Sequence, residues 1–318
     1  MILQLAQEFP QIRYTPGQKV AMVLDTDTYN EIDDQFALFY AIVSPAVKLL
    51  GVTAAPFFND RSCGPADGME KSFHEIGHIL KLTGCEAGIP AFRGALRFQQ
   101  DTGSPVDSPA ARFLINRAHH CAERGETLFV CCIAALTNIA AALQLAPEIR
   151  DMVAIIWLGG HEPHVRDNPR EFNLAGDIAA ARTVFDCGTP LLQVPCRHVA
   201  EKLNMTSQKL KQNLPDSPGG HYLQKIFDDY LGERGIADKV IWDIGAVSCL
   251  TLPRNGKCEC VARPELHDDC TWSESGSRPK MMRMLSLDSD RIFADFFHCM
   301  NNCTDQCLWA ENGYENEF

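Results

Sequence analysis

Apolar runs at residues 20–24, 48–53, 127–133, 153–158 and 190–194 are short and nearly unbroken, as expected of strands buried on both faces. Between them, residues 33–43, 68–82, 108–124, 136–145 and 177–185 carry apolar positions at helical spacing. This alternation predicts an α/β fold: a mostly parallel central sheet with helices on both faces. From 199 to 249 the strands give way to helices around a turn at 215–220. Residues 252–275, rich in Cys, Pro and polar side chains, read as loops and short antiparallel pieces. A last helix is expected over 288–303, followed by an acidic tail to Phe318. No repeat or linker divides the chain, so residues 1–318 are expected to form a single domain with extra C-terminal helices.

At 318 residues, 46% hydrophobic and 22% charged, the chain can bury a large core, which excludes a disordered class. A formal net charge of −12 argues against nucleic acid or an anionic membrane as partner, because a phosphate footprint needs clustered Lys and Arg. A small neutral or cationic ligand fits better. The 14 Cys include the adjacent pair Cys131-Cys132 in an apolar strand, so reduced thiols in a cytoplasmic protein are expected. Residues 1–13 lack a basic start and a continuous apolar core, and no window reaches membrane-spanning length. Cys299, Cys303 and Cys307 recur every four residues and would share a helix face, but zinc sites more often use closer knuckles. Those thiols, like Cys258 and Cys260, read as core-facing or incidental.

One turn carries most of the candidate chemistry. Directly behind the run 20–24 stand Asp25, Asp27, Glu31, Asp33 and Asp34, at the carboxyl end of a strand, where ligands of open α/β sheets bind. So many carboxylates repel one another unless a cation sits among them or solvent bathes them. A helix start at Asp33-Asp34 favours each of the two by only about 0.3–1 kcal/mol, too little to offset the crowding. The spacing Asp25-x-Asp27-Thr28 is also similar to the aspartyl-phosphate motif of haloacid-dehalogenase-like phosphatases. That motif is short, and no downstream segment supplies both the Lys and the later acidic pair those enzymes need.

Further segments occur in a telling order. Asp25-x-Asp27 with Asp33-Asp34, Leu136-Thr137-Asn138-Ile139-Ala140, Leu158-Gly159-Gly160, Glu171-Phe172-Asn173, Val194-Pro195 and Trp242-Asp243 follow the sequence of motifs in the calcium-dependent nucleoside hydrolases. The chain resembles a divergent member of that family from about residue 20 to about residue 250. The resemblance implies a Rossmann-like sheet, a Ca2+ cofactor, a small-molecule nucleoside substrate and a homo-dimer or homo-tetramer. It implies Asp27, Asp34 and Asp243 as carboxylate ligands of the metal, with the carbonyl of Thr137 beside them. A hard cation of this kind takes six to eight oxygens in irregular geometry. Asp33 would be the general base that takes a proton from the attacking water. Asn59, Glu171 and Asn173 match the family's ribose-binding residues, which hold the sugar while positive charge develops on its ring. In an extended segment Glu171 and Asn173 would face the same side, with Phe172 opposite. Asp25 is open between touching ligand and bracing its neighbours.

The chain departs from the family pattern in three places. Five residues, Thr28 to Ile32, separate the second Asp from the final pair, two more than usual, which adds Asn30 and Glu31. The Gly-Asn that usually reaches the sugar 5′-hydroxyl is absent between Gly160 and Glu171; Asn168 could substitute, and Arg166 or Arg170 could meet a 5′ phosphate. Where many members carry a His before the last Asp, this chain has Trp242, which cannot protonate a leaving nitrogen but can stack on a base. By analogy with members carrying Trp there, a purine nucleoside is expected, with Phe98 as a candidate second stacking surface. His161 and His164 are candidate acids on a loop able to close over the site. A nucleoside- or sugar-binding relative that has lost efficient catalysis is the alternative.

Overall fold

The computed structural model describes residues 1–165, 169–274 and 276–303. Arg166, Asn168, Cys307 and the acidic tail from 304 onward lie outside the described residues. Strands β1 (Val20–Thr26), β2 (Val47–Ala54), β3 (Ala91–Arg93), β4 (Leu128–Cys132), β5 (Val153–Leu158) and β6 (Leu191–Val194) run parallel in the order β3-β2-β1-β4-β5-β6. Four of the five predicted runs match a strand to within one residue at each end; β1 extends two residues further, to Thr26, and β3 was not foreseen.

Side-chain alternation divides the core into two layers. Met22 and Leu24 of β1, Phe129 and Cys131 of β4 and Ile156 of β5 pack with the helices Asp33–Val43, Pro65–Leu82, Pro218–Arg234, Ile244–Thr251 and Ser289–Asn302. On the other face Ala21, Val23, Val130, Ile155 and Trp157 meet the helices Pro109–Glu123, Thr137–Leu145 and Ile178–Asp186. Both faces of each central strand are therefore apolar, which explains the unbroken runs. Burying one such side chain contributes about 1.5–3 kcal/mol.

The C-terminal half departs from expectation. Within 199–249, read as helical, β7 (Asn204–Thr206) and β8 (Asp238–Val240) pair antiparallel outside the main sheet. Within 252–275, read as loops, β9 (Gly256–Ala262) is a full strand, and β10 (Glu265–Leu266) pairs with β11 (Trp272–Ser273). A further strand, β12 (Lys280–Leu287), pairs parallel with β6 and antiparallel with β9, so the two extend the sheet to eight strands. β12 is half-exposed and Met-rich and has no unbroken apolar run; pairing with β6 and β9 makes it a strand.

Two further observations concern the thiols and the membrane. The described cysteines are free thiols, and Cys299 packs into the core. Among the described residues no helix is long and apolar enough to cross a membrane.

The sheet order sets the position of the site. From β1 the chain winds outward through β2 to β3, then returns to place β4 on the opposite side of β1. That reversal opens a crevice beyond the carboxyl ends of β1 and β4, the usual ligand position in such sheets. The acidic turn lies there.

Candidate active site

β1 ends at Thr26, and Asp27 follows in a tight turn in which its carbonyl accepts from the amides of Tyr29, at 2.6 Å, and Asn30, at 2.8 Å. The helix Asp33–Val43 then starts with two acids in its first turn, where the helix N-terminus favours negative charge. From the other end of the chain, Asp243 immediately precedes the helix Ile244–Thr251, with no capping hydrogen bond from its side chain. Carboxylate oxygens of Asp33, Asp34 and Asp243 all lie within 4.8 Å of one another.

All four acids of this floor are buried. Burial, followed by the repulsion of neighbouring carboxylates, pushes Asp34 up to about 8 and Asp27 and Asp243 well above the ordinary carboxylate range. Burial also raises Asp33, against the opposing pull of Lys239. Each acid has some partners: Asn30 Nδ2 donates to Asp27 Oδ1 at 2.8 Å, and Thr26 Oγ1 to Asp34 Oδ1 at 2.5 Å. The backbone N–H of Trp242 donates to Asp33 Oδ2 at 3.3 Å. Asp27 Oδ2 and Asp34 Oδ2, however, are buried and meet no donor among the described residues. Leaving such groups unmatched costs about 1–3 kcal/mol or more each. A bare divalent cation among them would satisfy both oxygens, and this donor set, all hard oxygen, fits a hard cation.

Asp25 belongs to a different network. It accepts from Thr53 Oγ1 at 2.6 Å, from Asn138 Nδ2 at 2.8 Å and from the Cys132 thiol at 3.4 Å, and so ties β1 to β2, β4 and the helix Thr137–Leu145. Burial pushes it up to about 6. Its role is to brace the neighbouring strands. Thr137 opens the helix after β4, with its hydroxyl donating to Asp177 at 2.8 Å.

Above the floor lies a cavity of about 440 Å3 whose lining includes Asn30, Glu31, Asp33, Asn59, Glu171, Phe172, Asn173, Trp242 and Asp243. It thus gathers the base, one acid ligand and all four substrate residues expected from the sequence. A neighbouring cavity of about 340 Å3 holds Asp27, Phe57, Phe58 and Phe98 and shares Arg170 and Phe172 with the first. Phe98 therefore lines the neighbouring cavity, whereas Trp242 lines the larger one. Of the two candidate acids, His161 lines the larger cavity, whereas His164 is exposed and paired with Glu162 at 3.4 Å.

Residues 171–173 do not form one extended segment: Glu171 is extended, but a helix begins at Phe172. Glu171 caps the helix Phe172–Gly176, its carboxylate accepting from the amides of Asn173, at 3.0 Å, Leu174, at 3.0 Å, and Gly160, at 2.7 Å. Gly160, at φ +68°, adopts a left-handed turn that glycine takes readily, which lets its N–H reach back to Glu171. Asn173 Nδ2 donates to the carbonyls of Ile133, at 3.2 Å, and Leu158, at 3.0 Å, anchoring the helix to the ends of β4 and β5. Because the segment is helical, Phe172 joins its neighbours in the cavity instead of pointing away.

Beyond this geometry, the sequence model of the inosine-uridine preferring nucleoside hydrolases matches residues 22–293. The chain belongs to the nucleoside hydrolase family. It is similar to an Arabidopsis thaliana protein described as probable uridine nucleosidase 2, with 32% identity over 243 residues, 67% of this chain and 70% of that one. A probable ribonucleoside hydrolase of Dictyostelium discoideum is 27% identical over 319 residues, 86% of this chain and 92% of its own. The solved structure of a plant nucleoside hydrolase shares the fold, with a TM-score of 0.70 at 22% identity, covering 91% of this chain and all of that one.

This nucleoside hydrolase is thus an enzyme that cleaves the N-glycosidic bond of ribonucleosides. Several residues around its site escaped the sequence reading. Asp60, Cys196 and Arg234 line the larger cavity, and Lys239 and Tyr230 stand behind it. Only Phe172, between two expected site residues, carried a usable signal. The others come from loops, the helix Pro218–Arg234 and strand β8, whose local pattern says nothing about the crevice.

Proposed function

We propose that this nucleoside hydrolase uses a calcium ion held by Asp27, Asp34, Asp243 and the carbonyl of Thr137, and that it prefers purine nucleosides. The observation that carries the metal is the pair of buried, unpartnered oxygens, Asp27 Oδ2 and Asp34 Oδ2, beside Asp33 and Asp243. Calcium, when bound, offsets the carboxylate charge, anchors sugar hydroxyls and lowers the pKa of a neighbouring water. Asp33, at the cavity wall, takes the proton of the attacking water while Trp242 N–H holds one of its oxygens.

Asn59, Glu171 and Asn173 bind and orient the ribose. Asn59 is braced for this by its own amide, which donates to the Asn30 carbonyl at 3.1 Å. Glu171 spends its carboxylate on three backbone amides, so it acts by fixing the turn at Gly160 and by presenting negative charge toward the ring that becomes cationic. Trp242, half-buried in the cavity wall, offers its indole face to the base. An indole cannot supply a proton to the departing nitrogen, so proton delivery falls to water or to His161 in the same cavity.

A reducing-sugar assay over purine and pyrimidine nucleosides, with and without chelator, tests this reading. Ribose release is expected from inosine, adenosine or guanosine ahead of uridine, lost on calcium removal and restored by calcium alone. Asp33→Ala is expected to abolish release while calcium and ligand still bind. Uridine ahead of all purines would remove the base assignment, and full activity of Asp33→Ala would remove Asp33 as base.

A further inference from the structure

At the edge of the sheet, β12 and β9 run antiparallel with Met282 opposite Cys260 and Met284 opposite Cys258. Residues two apart on a strand share a face, so these four side chains stand together on one side of the pair. Directly opposed residues bring their Cβ atoms to about 4.5–5.5 Å, and diagonal ones to about 7–8 Å, so sulfur side chains at the four corners can converge between them. The thioethers of Met282 and Met284 are buried, whereas both thiols are free and half-buried. The helix Ile2–Glu8 borders the cluster: the Cys258 thiol donates to Gln4 Oε1 at 3.5 Å, and the Glu8 carboxylate lies beside Cys260. The reverse face of the same two strands carries no such grouping. There Arg283 Nη2 pairs with Glu259 Oε1 at 2.6 Å, and Met281 packs in the apolar core opposite Val261.

We propose that Cys258, Cys260, Met282 and Met284 form a site for one soft monovalent cation, Cu(I), at the outer edge of the sheet. Thiolates and thioethers select such an ion, whereas the all-oxygen floor of the cavity suits a hard one. The two buried thioethers form the inner wall of the site and the two half-buried thiols its entrance. Binding breaks two S–H bonds, releases two protons to solvent and forms two thiolate–copper bonds. The thioethers add lone pairs, and the copper stays Cu(I) throughout. Because the ligands come from two strands, the ion ties β9, the last strand of the sheet, to β12. None of the four sulfur residues lines either cavity at the acidic floor, so the site is separate from the proposed calcium site.

The test is competition for Cu(I) between the full chain, with calcium present, and a coloured Cu(I) chelator of known affinity, without oxygen and with ascorbate as reductant. The chain is expected to withdraw one Cu(I) from the chelator. Cys258→Ser with Cys260→Ser is expected to weaken that binding by about 100-fold or more, and Met282→Leu with Met284→Leu, which keeps the core filled, by about tenfold. Cys63→Ser, at an exposed thiol elsewhere, is expected to leave it unchanged. Full affinity in the double serine variant would assign the copper to other thiols and overturn the proposal. Unchanged affinity in the double leucine variant would remove the thioethers from the site and overturn it as well. If the double serine variant does not fold, alkylation of the unaltered chain decides: Cu(I) is expected to shield Cys258 and Cys260 from iodoacetamide, read by mass spectrometry, and equal labelling with and without copper overturns the proposal. None of these readouts depends on nucleoside cleavage, so the copper site and the proposed calcium chemistry stand or fall separately.

Discussion

Asn30 Nδ2 donates to Asp27 Oδ1 at 2.8 Å while the Asn30 carbonyl accepts from Asn59 Nδ2 at 3.1 Å, so one added residue of the turn joins a proposed calcium ligand to a proposed ribose ligand. Partners that orient a metal ligand are commonly worth about 10- to 100-fold in affinity. Asn30→Ala is therefore expected to weaken calcium binding by about tenfold, measured by competition with a chelator of known affinity. Unchanged affinity would mean that Asp27 needs no such partner.

Calcium removal is expected to make stability fall as pH rises. In the metal-free folded state burial and mutual repulsion raise Asp27, Asp34 and Asp243, with Asp34 at about 8, whereas the unfolded chain ionises them near the usual value of about 4. Between those limits the folded state holds more protons than the unfolded one, so each proton difference costs up to about 1.4 kcal/mol per pH unit. Melting temperatures in chelator should drop from pH 5 to pH 8, and saturating calcium should flatten that slope. A metal-free protein whose Tm is level over this range would contradict the crowding of the floor.

Glu171→Ala removes the acceptor for three backbone amides and uncaps the helix Phe172–Gly176. A loss of about 1–3 kcal/mol in unfolding free energy is expected from urea titration. Glu171→Gln, which retains one carbonyl oxygen, should fall between the two. Activity should drop in both, because the turn at Gly160 forms part of the cavity edge.

Trp242→Ala tests the base contact. Stacking of a base on an aromatic ring is worth about 1–3 kcal/mol, so kcat/KM for inosine should fall by roughly 10- to 100-fold. Uridine, with less ring to stack, should lose less. Equal losses for both substrates would make Trp242 a wall of the pocket with no preference for purines.

Much of the candidate site was legible in the sequence because its acids sit beside a strongly patterned strand. Asp27, Asp33 and Asp34 follow β1, and Asp243 starts a helix, so strand and helix signals alone put them at element ends. Glu171 and Asn173 were recognised as a pair, but their geometry was misread: whether residues 171–176 extend or coil depends on the amides that Glu171 caps, and those become its neighbours only when β5 and the turn at Gly160 are in place. Asp25, left open between ligand and brace, resolves as a brace because Thr53 and Asn138 converge on it from other elements.

Taken alone, the sequence determined the alternation of buried strands and helices, the parallel sheet and the crowded acidic turn, since each is a local pattern of side-chain period or charge. Tertiary structure alone decided that β9 and β12 complete the sheet, because a half-exposed strand is stabilised by partners distant in the chain. It alone decided, too, which cation stands behind the longer turn. Lys239 and Asp33 are separated by 206 residues, and no local pattern announces an ammonium that folding brings behind a carboxylate.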